Sequence, residues 1–148
     1  MFRYVHTNII AKDSAGLIDF YKSVFQCKSI GETRDLRGDW LDKMTGIPNA
    51  HIVGEHLLLP GYGTENPTLE IFHYDQVNVR NSPQINQCGM AHLAFEVDDV
   101  EETLKKILLA GGGQIGEIVK VKYDNGKKAI LVYASDIEGN ILELQSWL

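Results

Sequence analysis

Along its first 25 residues the chain changes period. Arg3–Ala11 is dense in β-branched and aromatic side chains and predicts a strand. Asp13 or Ser14 then offers a helix N-cap, and Leu17, Phe20, Tyr21 and Val24 recur at helical spacing. Lys28–Leu36 predicts a second strand. GDWLDKMTGIPNA (38–50) follows neither period and predicts an irregular patch with one helical turn. Ala50–Leu59 predicts a strand, GYGTENP (61–67) a loop and Thr68–Tyr74 a further strand. The same order of periods then restarts. Met90–Val97 predicts a strand, and Asp98 or Asp99 caps a helix with an apolar stripe of Val100, Leu104, Ile107 and Leu108. Glu101 with Lys105 and Glu102 with Lys106 support that helix at i,i+4, and Gly111 ends it. Gln114–Val121, Lys128–Ala134 and Asn140–Trp147 are three more strands, with DNG (124–126) a hairpin signal.

Each half therefore reads β-α-β-β-β, an α+β arrangement built from a repeat. HTNIIAKDSAGLIDFYKSVF aligns with HLAFEVDDVEETLKKILLAG at an offset of 86 (92 − 6), and PTLEIF aligns with NILELQ at an offset of 73 (143 − 70). The first half thus carries 13 extra residues (86 − 73), for which 38–50 is the natural place.

The repeat singles out four side chains. Alternate strand residues share a face, so Glu70 lies with Thr68, Phe72 and Tyr74, while Leu69 and Ile71 point the other way. Glu143 shares a face with Ile141 and Gln145, opposite Leu142 and Leu144; His6 sits with Tyr4 and Asn8, and His92 with Met90 and Ala94. The leucine faces suit packing beneath the helices, which leaves the His and Glu faces to line the concave side of a curved sheet. A carboxylate buried alone is costly. Two imidazoles and two carboxylates around a divalent cation remove that cost, and the donor set suits Zn²⁺, Ni²⁺, Fe²⁺, Mn²⁺ or Co²⁺. With four protein ligands, a six-coordinate ion keeps two positions for water or substrate. Taken singly, a strand His or Glu is more often structural or solvated; the matched occurrence in both halves is what marks His6, Glu70, His92 and Glu143. His51, His56 and His73 have no repeat mates. His73 is expected opposite Glu70 in a structural role, and His56 has the alternative of approaching the site from the neighbouring strand.

These residues resemble the vicinal oxygen chelate superfamily, the group of glyoxalase I, methylmalonyl-CoA epimerase, extradiol dioxygenases and fosfomycin- and bleomycin-resistance proteins. His6 through Asp13 with the FY of Phe20–Tyr21 is similar to the family's first module. GMAHLAFEVDD (89–99) is similar to the start of its second. DIEGNILEL (136–144) resembles the family's closing D-P-D-G-N-x-x-E-L, with Ile137 in place of proline. The resemblance implies a single domain over 1–148, with module one at 1–80 and module two at 88–148. The paired modules would form a cupped, mostly antiparallel sheet around a metal site. His6, Glu70, His92 and Glu143 fall on the four ligand positions of the glyoxalase I and epimerase branches. Ile10 stands where bacterial glyoxalase I carries the Arg that anchors a glutathione carboxylate, and Tyr74 where it carries Asn. Arg3, Arg34, Arg37 and Arg80 remain to supply an anion contact from elsewhere.

The implied function is a metal-dependent lyase or isomerase that moves a proton next to a carbonyl through a metal-bound enediolate. Its substrate is a small molecule with vicinal oxygens, Glu143 is the general base, and Glu70 returns the proton. The alternatives are a non-enzymatic, resistance-type binder lined by Trp40, Tyr62 and Phe72, and a single-domain Fe²⁺ ring-cleaving dioxygenase. The family's habit and the apolar module edges imply a homodimer. A net charge of −6 argues against nucleic acid or anionic membrane as partner. Cys27 and Cys88 match neither a CxxC motif nor a disulfide framework. With no run that reads as a signal peptide or a membrane span, the expectation is a cytoplasmic protein.

Overall fold

The structure, a computed structural model, describes residues 1–63 and 67–148. The predicted loop at 61–67 therefore lies partly outside the described residues. The chain divides into two compact units, Met1–Arg80 and Asn81–Leu148.

In the first unit the order is β1 (His6–Ile10), α1 (Ser14–Phe25), β2 (Lys28–Arg37), α2 (Asp39–Thr45), β3 (His51–Leu58) and β4 (Thr68–Tyr74). The sheet order is β1-β4-β3-β2, with β1 parallel to β4 and the other pairs antiparallel. Asp13 supplies the α1 cap, its carboxylate accepting from the Gly16 amide at 3.0 Å. The apolar stripe of α1 (Leu17, Phe20, Tyr21, Val24) is buried, as are Leu57, Leu69 and Ile71 on one face of the sheet. Packing α1 against β3 and β4 on that face leaves Glu70 and its row-mates on the other.

The second unit repeats the plan with β5 (His92–Glu96), α3 (Val100–Leu109), β6 (Gly113–Lys122), β7 (Lys128–Ser135) and β8 (Ile141–Trp147), in the order β5-β8-β7-β6. Asp99 caps α3 by accepting from the Glu102 amide at 2.9 Å, as Asp13 does for α1. Val100, Leu104 and Ile107 are buried, with Val132, Ala134, Leu142 and Leu144 on one face of β7 and β8. The described residues thus form two four-stranded mixed sheets with three helices, an α+β fold of tandem βαβββ modules.

The repeat extends to irregularities. The β2–β3 ladder breaks between Ile30 and Arg34, and the β6–β7 ladder breaks between Ile115 and Val119. Each break holds a glycine with positive φ, Gly31 at 72° and Gly116 at 67°, a conformation that disfavours any side chain.

Three expectations need correction. The first strand of each module is shorter than Arg3–Ala11 and Met90–Val97: β1 covers His6–Ile10 and β5 His92–Glu96, each at the edge of its own sheet among the described residues. The 38–50 patch holds more than one turn: α2 runs for seven residues. Asp42 stitches it down, accepting from the amides of Asn49 at 2.7 Å and Ala50 at 2.9 Å. The extra residues of the first module are also divided. Ile30 matches Ile115 (offset 85), and His56 matches Tyr133 (offset 77), since these are the cross-strand partners of Glu70 and Glu143. The offset falls by 8 across the β2–β3 connection (85 − 77) and by 4 between β3 and β4 (77 − 73).

Candidate functional site

The paired geometry of first and last strand builds the same arrangement in each module. In module one the parallel register sets His6 opposite Thr68 and Asn8 opposite Glu70. In module two it sets His92 opposite Ile141 and Ala94 opposite Glu143. The imidazole therefore stands beside a carboxylate two residues further along its neighbour. His6 Nε2 lies 3.1 Å from Glu70 Oε2, and His92 Nε2 lies 2.9 Å from Glu143 Oε2. The structure brings the four residues singled out by the repeat together as two His–Glu pairs, one per module.

Both carboxylates depend on their local fold. Leu69 and Ile71 are fully buried, which fixes the alternation that turns Glu70 to the opposite face. Glu143 is set by the turn before β8. There the buried Asp136 accepts from the amides of Glu138 and Asn140, each at 2.9 Å, and from the Asn140 side chain at 2.8 Å. The sequence DIEGN is a side-chain-built turn that starts β8 in one register.

The two pairs are not equivalent. Glu70 is only 8% exposed. It takes a second imidazole on its other oxygen, with His56 Nε2 at 2.5 Å from Oε1, and the Asn8 side-chain amide donates to Oε2 at 3.3 Å. The Thr68 hydroxyl lies 3.5 Å from His56 Nδ1, consistent with Nε2 carrying the proton that faces Glu70. Burial holds the His56 imidazole below the ordinary histidine range against the opposing pull of the Glu70 charge, and the positive charges of Arg34 and His6 act in the same sense as burial. Glu143 is half-buried and meets His92 alone among the described residues. At the place of His56, module two has Tyr133, whose ring packs 5.2 Å from that of His92. The Nδ1 of His92 is buried and without a partner among the described residues, so ring packing rather than a second hydrogen bond orients this imidazole.

His73 lies on the far face, as the alternation requires, with Nδ1 at 3.0 Å from the Ala11 carbonyl. His51 sits between two carboxylates, 2.8 Å from Asp35 and 2.9 Å from Asp75. Those contacts raise its pKa, Asp75 first and Asp35 second. His56 is the residue that repeat logic underrated. Its mate is a tyrosine, and the divided insertion hides the correspondence; the signal available was its place in the strand beside Glu70.

The Glu70 face of module one has a wall at one end. Leu41 of α2 is fully buried and packs with Ala50, Ile52 and Phe72, flanked by Leu36, Ile47 and Tyr74. Ile52 and Phe72 belong to the rows that carry His56 and Glu70, and the His56 and Phe72 rings stand 5.9 Å apart. The additional helix is thus seated beside the candidate site.

The donor chemistry fits a first-row divalent ion. Donors bound at ~2.1 Å and 90° apart stand roughly 3 Å from each other, close to the 3.1 Å and 2.9 Å of the His–Glu pairs. Among the described residues no three His, Cys, Asp or Glu side chains are disposed to hold an ion. His6 and His56 address opposite oxygens of Glu70, with rings 6.0 Å apart and nearly perpendicular.

Comparison with known proteins agrees with the fold. No curated protein matches by sequence. A glyoxalase family protein from Bacillus cereus is similar at TM-score 0.83 and 18% identity, over 100% of this chain and 95% of that one. The trypanothione-dependent glyoxalase I of Leishmania major is similar at 0.66 and 22%, over 99% and 87%. The fosfomycin resistance protein FosX of Listeria monocytogenes is similar at 0.60 and 16%, over 97% and 91%. The family model for the glyoxalase/bleomycin resistance protein/dioxygenase superfamily matches residues 3–144, and the chain belongs to that superfamily.

Proposed function

We propose that the chain is a divalent-metal-dependent lyase or isomerase of the glyoxalase I-like type, moving a proton at a carbon next to a carbonyl. The ligands of the Zn, Ni, Fe, Mn or Co ion in this reading are His6, Glu70, His92 and Glu143, one His–Glu pair from each module. The observation that carries this reading is the duplicated His–Glu pair, in identical register and at 3.1 and 2.9 Å. When bound, the ion supplies Lewis-acid polarisation of vicinal substrate oxygens.

The asymmetry of the pairs divides the protein's labour. Glu70, held by His6, His56 and Asn8, is fixed in place. Glu143, with His92 alone among the described residues, is the carboxylate free to swing toward substrate and take the proton. Glu70 returns it on the opposite face. The proposal includes a small-molecule substrate with vicinal oxygens, a homodimer and a cytoplasmic setting; no helix among the described residues is long and apolar enough to cross a membrane.

Elemental analysis of the purified protein, followed by solvent-deuterium incorporation over 2-oxoaldehyde–thiol adducts and acyl-CoA thioesters, tests the reading. Stoichiometric first-row metal and metal-dependent deuterium uptake are expected. A protein that takes up no such metal and catalyses no exchange refutes it in favour of a binding protein, and oxygen consumption with a catechol refutes it in favour of ring cleavage.

A further inference from the structure

The Glu70 face of module one carries a cation, Arg34, that enters no ion pair among the described residues. Arg34 lies on β2 opposite Gly54 of β3, and Gly54 sits two residues before His56 in the same strand, on the same face. Arg34 is therefore the diagonal neighbour of His56, ~7–8 Å away along the sheet and within reach of a long side chain. It is half-buried, and among the described residues it makes no hydrogen bond or ion pair.

Three comparisons separate Arg34 from an ordinary surface charge. Arg37, on the same strand, lies 3.5 Å from Asp35 and 2.8 Å from His51 and is exposed. The position matching Arg34 in module two is Val119 (offset 85), so the repeat folds without a cation here. Between Arg34 and Phe72 the sheet offers no side chain, because Gly54 intervenes with φ 153° and a Cβ there would meet Phe72 at 2.8 Å and the Ile71 carbonyl at 2.0 Å. A guanidinium is thus drawn partly out of water beside the candidate site with no ion-pair partner among the described residues. That is unfavourable until an anion arrives.

We propose that Arg34 is a specificity residue that anchors an oxyanion, a carboxylate or phosphate carried on the ligand of the module-one face. Its planar fork matches both groups in bidentate fashion. Glu70 lies two strands away, roughly 10 Å across the sheet, so the anion sits at the opposite end of a small ligand from the atoms nearest Glu70. The assignment rests on the proposed function only for the identity of that reacting end.

The test is calorimetric binding, which requires no turnover. The ligands are three S-lactoyl thioesters, of 3-mercaptopropionate, of 2-mercaptoethyl phosphate and of the uncharged 2-mercaptoethanol. The native chain is expected to bind at least one charged thioester about ten- to a hundredfold more tightly than the neutral one. R34Q should abolish that preference, R34K should keep part of it, and R37Q should leave it intact. The carboxylate and phosphate arms report which oxyanion fits. Absence of a preference in the native chain, or its survival in R34Q, overturns the proposal. A preference lost in R34Q, in a protein that turns over none of the matching thiol adducts, would sustain the anchor while refuting the proposed reaction.

Discussion

Replacing Leu41 by Ala tests whether the additional helix of module one is a packed wall of the site. Leu41 is fully buried among Ala50, Ile52 and Phe72, with Leu36, Ile47 and Tyr74 around them. Truncation removes buried methyl and methylene groups at ~0.8 kcal/mol each. It also leaves a cavity, because five of the surrounding residues are anchored in β2, β3 and β4 or at their ends and cannot all collapse inward. Together these terms predict a loss of about 3 kcal/mol, within the range for buried Leu→Ala. For a cooperative unit the size of one module that is a fall of at least ~12 °C in Tm. The assay is urea unfolding followed by tryptophan fluorescence. The chain has two tryptophans; with Trp147 replaced by Phe, Trp40 on α2 reports the helix and module one alone. Met44 lies on the same helix and is 69% exposed, so Met44→Ala should change stability by no more than ~0.5 kcal/mol. A Leu41→Ala loss below about 1 kcal/mol, or equal losses for the two variants, would refute the reasoning.

Further outcomes follow from the site and the surface. Glu143→Gln should retain the fold and most metal while lowering turnover by roughly 10²–10⁴-fold, whereas Glu70→Gln should also weaken metal retention measured by chelator competition; full activity in Glu143→Gln would remove the base assignment. His56→Phe should loosen Glu70 and raise the metal dissociation constant, with His56→Gln, which keeps a donor, restoring part of it; equal affinity in both would refute the tether. The His51 cluster should stabilise the fold within a pH window. His51 is raised in the folded state by Asp75 and Asp35, so its contribution is full below ~6.5 and is lost as pH climbs through the raised value. Asp35 is lowered, chiefly by its hydrogen bond from His51, so its contribution is full above ~3.9 and is lost as pH falls through the depressed value. The stability difference between native protein and His51→Gln should therefore peak at about pH 4–6.5; a difference that grows above pH 8 would contradict it. Burial pushes the Cys27 thiol up to about 11, so at pH 8 an aromatic disulfide reagent should label the exposed Cys88 rapidly and reach Cys27 only on unfolding; rapid titration of two thiols in the native chain would refute this.

Much of this architecture was legible because the chain states it twice. His6 with Glu70 and His92 with Glu143 could be found from matched spacing, and the faces followed from the alternation of Leu69, Ile71, Leu142 and Leu144. Features that occur once were harder. The length of α2 was hidden because DWLDKMT owes its helix to tertiary support, the burial of Leu41 and the amides gathered by Asp42, rather than to a long apolar stripe. The contact of His56 with Glu70 depends on the β3–β4 register, which a connection of uncounted geometry between two strands does not reveal. Arg34 read as one of four available arginines; only the pairing of β2 with β3 separates it from Arg37, which is occupied on the surface.

The parallel pairing of β1 with β4, and of β5 with β8, has a consequence for synthesis. In each unit the imidazole is translated first and its carboxylate last, some sixty residues later in one case (70 − 6 = 64) and about fifty in the other (143 − 92 = 51). A nascent chain therefore owns half of each pair until the closing strand has left the ribosome and zipped alongside the opening one. Under the proposed function, ion capture would then add its stabilisation only where the closing strand is in place.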